Sequence, residues 1–264
     1  MDRLLLIVST VCYLAAVVRT IIASREGVFR PGRFNFFAIA AGFLLQTAFL
    51  SVRGHALHRC PLTNLFEVFT FLAWSVALIY MLVGPAYRLS LMGAFTAPLV
   101  FLIQSGALLA PIDVPHALHA TANPWLEFHA SISMIAYGAF ALACVAGLMY
   151  LAQERQLKTR QMQPVLSHLP PLNDLFAAIT RLLWLGFGLY SAGLASGFFT
   201  GQPLPRVKMI WAAAVWLFYG VLLYARHLHR LAPKRLASLS VVAFAAAVSV
   251  LWAITFTAPA APIR

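Results

Sequence analysis

The sequence predicts an all-α, polytopic integral membrane protein, a bundle of about eight transmembrane helices. Of its 264 residues, 62% are hydrophobic and only 10% are charged, and the mean hydropathy is +0.84. No soluble domain of this length buries so large an apolar fraction. A spanning helix needs about 20 mainly apolar residues. Stretches that meet this requirement lie near residues 3–23, 35–52, 64–83, 90–110, 127–151, 181–199, 209–225 and 237–257.

The first stretch has the position of a secretory signal peptide, but its residues favour a retained helix. Its charged leader is only Met-Asp-Arg, and Arg19–Thr20 is a poor site for a peptidase that prefers small residues. Near residues 153–180 the pair Pro170–Pro171 stops any helix, so this longest connection is interpreted as a linker. We therefore expect one transmembrane domain over residues 1–264.

The distribution of Lys and Arg predicts the orientation of the bundle. Twelve of the 19 basic residues lie in the loops after helices one, three, five and seven or at the start of the sixth helix, and six lie on the other side. By the positive-inside rule, both termini are on the periplasmic side of a bacterial inner membrane. Because orientation accounts for the basic excess, we expect the lipid bilayer and no nucleic acid as a partner.

The third helix begins in the stretch "CPLTNLFEVFTFLAW". Thr63 or Asn64 can cap this helix, and Glu67 follows one turn later, near the positive end of the helix dipole. A carboxylate at this depth is costly unless it is paired or hydrogen-bonded. Glu67 is therefore either a structural anchor or part of a site.

The fifth helix begins in "NPWLEFHASISMIAYG", where Trp125, His129 and Ser133 recur at helical spacing with Tyr137 alongside. We expect this polar stripe to face protein or a cavity, because polar groups are costly against lipid. His129 is either a boundary histidine satisfied by a neighbouring helix or an axial ligand of haem iron. Neutral imidazole is a common protein ligand of haem iron.

Two "HALH" segments, His55–His58 and His116–His119, lie on the same predicted side as His129. Histidines at i and i+3 can share a helical face and bind one metal ion, or each can be a single ligand of a larger group. Chance recurrence in Ala- and Leu-rich sequence is equally open. Each of these histidines is a candidate second ligand for whatever His129 binds, and His119 is the nearest in sequence.

The stretch "ASGFFTGQPLPRVKMIWAAAVW" leads from the sixth span to the seventh. Its glycines are predicted to break the helix into an outer loop; they are Gly193, Gly197 and Gly201. Trp211 then enters the seventh span. Arg206 and Lys208 are exceptions to the charge bias, and we expect them to meet an anionic group such as haem propionates.

These segments together resemble the CcsA-type cytochrome c assembly proteins. "GHALHRCPLTNLFEVFTFLAW" resembles the third-helix signature of that family. "FHASISMIAYGAFALACVAGLMYLAQERQLK" resembles the family helix that opens with a haem-ligating histidine, and His129 falls on that position. "WAAAVW" matches the tail of the tryptophan-rich haem-handling motif, with Lys208 on its lysine.

The resemblance implies an inner-membrane protein that handles haem b and assists cytochrome c biogenesis. His129 would be an axial ligand of the haem iron, Trp125 and Trp211 would hold the porphyrin, and Lys208 or Arg206 would meet propionates. The implied partners are haem, other cytochrome c maturation proteins and apocytochrome c. Glu67 and His119 complete the candidate cofactor-binding residues.

The chain also departs from the full family pattern. Arg206 stands where the tryptophan-rich motif has an aspartate, and Tyr224 stands where full members have a histidine. The chain therefore resembles the shorter, eight-helix branch, similar to the YpjD and HemX membrane proteins, and we assign no stand-alone enzyme activity. The alternatives are a haem-free regulatory or scaffolding protein in tetrapyrrole synthesis, and divalent-metal handling through the "HALH" pairs.

Overall fold

The structure is a computed structural model that describes residues 2–25, 33–62, 64–83, 92–109, 123–159, 171–201 and 206–257. Within these ranges the chain folds into helices and contains no strand, which confirms the predicted all-α class. The helices are α1 (Asp2–Arg25), α2 (Arg33–Leu57), α3 (Leu65–Val83), α4 (Met92–Leu109), α5 (Pro124–Thr159), α6 (Leu172–Gly197), α7 (Arg206–His227) and α8 (Pro233–Thr257).

The membrane character of the bundle follows from the length and composition of its helices. Among the described residues, the seven helices α1 to α7 are long and apolar enough to cross a membrane. Helix α8 occupies the eighth predicted stretch, and its crossing stays a prediction. The periplasmic position of both termini depends on an even number of crossings, so it also stays a prediction.

Helix α5 is the centre of the bundle and packs against α3, α4, α6 and α8. Its middle part, from Ser133 to Gly147, is buried on nearly every side, as expected for a helix that is apolar all round. Small residues permit this close packing. An ideal Cβ atom on Gly138 would lie 2.7 Å from the carbonyl carbon of Ser75, so α3 and α5 meet backbone to backbone at this point.

Helices α5 and α6 are longer than predicted. The predicted ends lay near residues 151 and 181, whereas α5 continues to Thr159 and α6 begins at Leu172, directly after Pro171. At 1.5 Å per residue, α5 is about 54 Å long, well beyond the roughly 30 Å of the hydrocarbon core. Its last turns carry the i,i+4 ion pair of Glu154 with Lys158, at 2.7 Å. The linker is therefore shorter than the sequence predicted, because a hydropathy pattern does not detect helical turns outside the membrane.

Candidate functional site

A cavity of about 290 Å³ lies between the start of α3, α5, α6 and α7. Helix α5 contributes His129, Ser133 and Tyr137 to its wall, and α7 contributes Lys208 and Trp211. Most of the other lining residues are apolar, among them Leu62, Val68, Leu194 and Val215. Three of the residues predicted to bind a cofactor, from helices about 80 positions apart in the sequence, are thus brought to one cavity.

The imidazole of His129 is held by a backbone carbonyl. Its Nδ1 atom lies 2.6 Å from the oxygen of Gly193 in α6. Because a carbonyl oxygen only accepts hydrogen bonds, Nδ1 carries the proton and donates it. In the neutral imidazole, the other ring nitrogen, Nε2, then carries the lone pair. This is the tautomer that a metal-binding histidine adopts when its second nitrogen is fixed by a backbone oxygen.

Two glycines of α6 lie against α5, where Gly197 faces the His129 ring and Gly193 faces Ser133. An ideal Cβ atom on Gly197 would lie 3.2 Å from both Nδ1 and Cε1 of His129, and one on Gly193 would lie 2.5 Å from the hydroxyl oxygen of Ser133. The absence of these Cβ atoms lets α6 approach α5 closely, as small residues spaced by four do in membrane helices.

The prediction that these glycines break the sixth helix is wrong for two of the three. Gly193 and Gly197 are helical members of α6, and their role is close approach to α5. A short 3-10 turn follows at Phe198–Thr200. Only Gly201 acts as predicted, since its φ of 64° is a left-handed conformation that ends the turn and favours glycine.

The outer ends of α5 and α6 are joined by Asn123. Its Oδ1 atom accepts a hydrogen bond from the backbone N–H of Trp125, at 3.1 Å, and caps α5, with Pro124 at the first helical position. Its Nδ2 atom donates to the carbonyl oxygen of Thr200, at 2.8 Å. This double contact fixes the first turns of α5 against the end of α6 and so positions His129.

Trp125 lies one turn outside His129 and does not line the cavity. Its ring packs on Phe199, with centroids 5.2 Å apart, and about half of the side chain is exposed. The predicted stripe is therefore divided. His129, Ser133 and Tyr137 face the cavity, whereas Trp125 covers the contact between α5 and the end of α6.

Ser133 carries a buried polar atom with no protein partner. The residue is 9% exposed, lines the cavity, and its hydroxyl makes no hydrogen bond within the described part of the chain. Buried hydroxyl groups in proteins are normally paired. The cavity wall thus holds a hydroxyl with no protein partner and the imidazole of His129 in a lining that is otherwise mostly apolar and aromatic, and this set of side chains fits a metalloporphyrin.

Glu67 is part of an ion pair at the start of α3. Its carboxylate accepts a hydrogen bond from Nε of Arg53 at 2.8 Å, and the side chain is only 1% exposed. Asn64 caps the helix, because its Oδ1 atom accepts from the backbone N–H of Glu67 at 2.8 Å; Thr63, the other predicted cap, lies outside the described residues. Glu67 does not line the cavity. Its contacts are those of a structural anchor, and a role in cofactor binding stays a proposal.

Comparison with known proteins identifies the family. The sequence profile of the cytochrome c assembly protein family matches residues 62–257. The chain belongs to this family. The predicted resemblance is confirmed. The matched residues include those that line the cavity, from the start of α3 to α7.

Individual members of the family are similar over most of the chain. Protein HemX of Brevibacillus brevis is 25% identical over 205 residues, which is 75% of each chain. The cytochrome c biogenesis protein CcsA of Prochlorococcus marinus (strain MIT 9301) is 27% identical over 209 residues, 67% of this chain and 65% of that protein. CcsA of Mesostigma viride is 23% identical over 229 residues, 73% of each. The chain thus spans slightly less than two thirds of the Prochlorococcus protein. Membership of this family supports a haem-handling role in cytochrome c biogenesis.

The remaining candidates from the sequence lie away from the cavity or outside the described residues. Arg206 is exposed at the first position of α7, and His55 and His58 are exposed at the end of α2. His116 and His119 belong to residues that the structure does not describe. Over the described ranges, no group of three or more His, Cys, Asp or Glu side chains is placed to hold a metal ion. The "HALH" metal pairs stay a prediction.

Tyr224 is the residue that the resemblance predicts to stand where full family members have a histidine. Its side chain is 65% exposed on the surface of α7. The side chain is therefore directed away from the other helices. Within this chain alone, Tyr224 therefore does not reach the cavity that contains His129.

Cys60 lies in the connection between α2 and α3, close in sequence to the cavity-lining Leu62. Its sulfur is 3.4 Å from the hydroxyl oxygen of Ser131, and all three cysteines of the chain are free. Burial raises the pKa of the Cys60 thiol, the hydrogen bond with Ser131 partly offsets this, and the carboxylates of Glu127 and Glu67 raise it further. At neutral pH this side chain is a thiol and a poor nucleophile.

We expect Cys60 to react slowly with iodoacetamide at neutral pH, and its rate to keep rising above the pH at which an ordinary thiol levels off. The raised pKa lowers the thiolate fraction at any given pH, and the thiolate is the reacting form. The measurement is the alkylation rate against pH in a variant with Cys12→Ala and Cys144→Ala. The control adds Cys60→Ser and His58→Cys, which puts a thiol at an exposed position. Coincident pH profiles would contradict the assigned environment.

Proposed function

We propose that this chain is a multi-pass protein of a bacterial inner membrane that binds haem b at the His129 cavity and assists cytochrome c biogenesis. Family membership supports the biological role. The observation that carries the site is the bond from Nδ1 of His129 to the Gly193 oxygen, which leaves Nε2 as a lone-pair donor at the wall of a cavity.

Each side chain at the cavity has a role that follows from its position. His129 binds the iron through Nε2, and the Gly193 carbonyl keeps the ring in the required tautomer and orientation. Trp211 and the apolar wall pack on the macrocycle and exclude water. Arg206 and Lys208 at the start of α7 meet the propionates, and Trp125 with Phe199 covers the outer side of His129.

Bound haem supplies the iron and the vinyl groups on which cytochrome c maturation depends. The contribution of this chain is to bind, orient and shield the group, and it needs no acid–base side chain of its own. Apocytochrome c and other maturation proteins are the proposed partners. They would approach from the predicted periplasmic side, where His129 lies near the outer end of α5. Glu67 supports the site at a distance by fixing the start of α3, and His119 stays a candidate ligand.

The absorption spectrum of the purified protein tests this function. We expect a Soret band in mild detergent, oxidised and reduced, that disappears in His129→Ala and persists in His229→Ala, a variant at an exposed histidine of the α7–α8 turn. No band in the wild-type protein, even after haem is supplied, would contradict haem binding.

The predicted alternative, which the similarity to HemX does not favour over haem handling, is a haem-free regulatory or scaffolding protein in tetrapyrrole synthesis that uses the same fold. This alternative predicts no Soret band and normal folding in both the wild-type protein and His129→Ala. Stoichiometric zinc or copper that is lost on changing His55 and His116 would instead support metal handling. The same preparation therefore distinguishes the three functions.

A further inference from the structure

We infer that the amine of Lys208 is the second axial ligand of the iron that His129 binds. This inference rests on the proposed function and changes the role of Lys208 from propionate contact to iron ligand. Its basis is the set of side chains that line the cavity and the helices from which they come.

A second axial ligand must reach the face of the macrocycle opposite to His129. Donor atoms on α5 cannot do so, because the macrocycle would then have to pass through the helix that carries His129. This excludes Ser133, Met134 and Tyr137, although all three line the cavity. Among the residues that the structure describes at the cavity, the remaining ones with a donor atom that suits iron are Tyr190 on α6 and Lys208 on α7.

Tyr190 is a poor match for this position. Helix α6 lies against the Nδ1 edge of the His129 ring, through the Gly193 oxygen and the contact at Gly197, whereas the iron would bind at Nε2. Tyr190 is also one turn deeper than Gly193, and its hydroxyl donates to the carbonyl oxygen of Ala212 at 3.4 Å. It therefore bridges α6 to α7 beneath the level of His129.

Lys208 has the required position. It shares one face of α7 with Trp211, Ala212 and Val215, and all four residues line the cavity. It lies in the first turn of α7 and lines the same cavity as His129. Its four-carbon stem gives the amine the reach to approach iron from α7.

Arg206 retains the contact with propionates. It lies two positions before Lys208 and therefore on another side of α7, and it does not line the cavity. A guanidinium has no free lone pair and cannot bind iron, but it suits carboxylates well. On ligation, the lysine ammonium releases one proton to solvent and its nitrogen forms the bond to iron.

Spectra of three purified variants, each supplied with haemin, test the inference. We expect a low-spin, six-coordinate spectrum in the wild-type protein. Lys208→Arg keeps the positive charge but cannot bind iron, so it should retain haem and convert to a high-spin spectrum. Lys208→His should restore the low-spin form. Arg206→Gln is the matched control, and it should leave the spin state unchanged while weakening haem retention.

A low-spin spectrum in Lys208→Arg, or a high-spin spectrum in the wild-type protein, would overturn the inference, as would loss of haem from both Lys208→Arg and Lys208→His. Electron paramagnetic resonance provides an independent readout of spin state. If no variant and no wild-type sample binds haem, the proposed function itself fails, and this result differs from all of those above.

Discussion

Replacement of Gly138 with alanine is expected to destabilise the bundle by about 3 kcal/mol, the upper part of the usual range for overpacking. The added Cβ atom would lie 2.7 Å from the carbonyl carbon of Ser75, 2.8 Å from its oxygen and 2.9 Å from its Cβ atom. Two of these are backbone atoms of α3, so no side-chain rotation relieves the clash. The free energy of unfolding in mixed detergent micelles measures the effect.

The matched control is alanine at a glycine with free space around it. Among the described residues, an added Cβ on Gly106 in α4 or Gly188 in α6 would have no heavy atom within 4 Å apart from its chain neighbours and the nearby backbone of its own helix. Alanine at either position should leave stability unchanged or raise it slightly, because alanine has the higher helix propensity. Equal stabilities of the Gly138→Ala and Gly188→Ala variants would contradict the close approach of α3 and α5.

Replacement of Glu67 with alanine is expected to cost about 3 to 5 kcal/mol, the usual penalty when one partner of a buried ion pair is removed. Glu67 is 1% exposed, and the substitution removes the carboxylate to which Nε of Arg53 donates. The contact of Arg53 with the Phe66 ring, at 5.1 Å, would compensate only in part. The same unfolding measurement in micelles reports the loss.

Glu154→Gln provides the comparison for an exposed ion pair. Glu154 contacts Lys158 at 2.7 Å and Lys234 at 3.6 Å, but both lysines are largely exposed. Exposed pairs contribute little to stability, so this variant should unfold like the wild-type protein. Equal stabilities of Glu67→Ala and Glu154→Gln would show that the Arg53 pair does not anchor α3.

The sequence predicted the helices well because the bilayer imposes a simple rule, about 20 apolar residues per span. It placed their ends less well where helices leave the membrane. The turns of α5 up to Thr159 are mainly polar and carry the ion pair of Glu154 with Lys158, whereas α6 starts at Leu172 with Asn173 and Asp174 and continues with mainly apolar residues. Hydropathy therefore predicted that spans exist and missed how far they extend.

The sequence predicts the histidine of the candidate site but not the backbone group that holds it. A histidine in the first turns of an apolar helix is a visible signal, and His129 was found from it. Its partner is the backbone oxygen of Gly193, and a carbonyl group has no signature in the sequence. Glycines such as Gly193 and Gly197 favour a helix break in a prediction from sequence. Small residues four positions apart also indicate close approach of two helices. A helix break and close helix packing can be distinguished only when the position of the neighbouring helix, α5, is known.

Chemical rescue tests most directly whether Nε2 of His129 binds haem iron. His129→Gly should lose the low-spin Soret spectrum of the wild-type protein because no imidazole remains beside Gly193. Added imidazole should then enter the space left by the side chain and restore that spectrum, while the same concentration should leave the wild-type spectrum unchanged. A Soret spectrum that is the same in His129→Gly and the wild-type protein, before any imidazole is added, would contradict iron binding by His129.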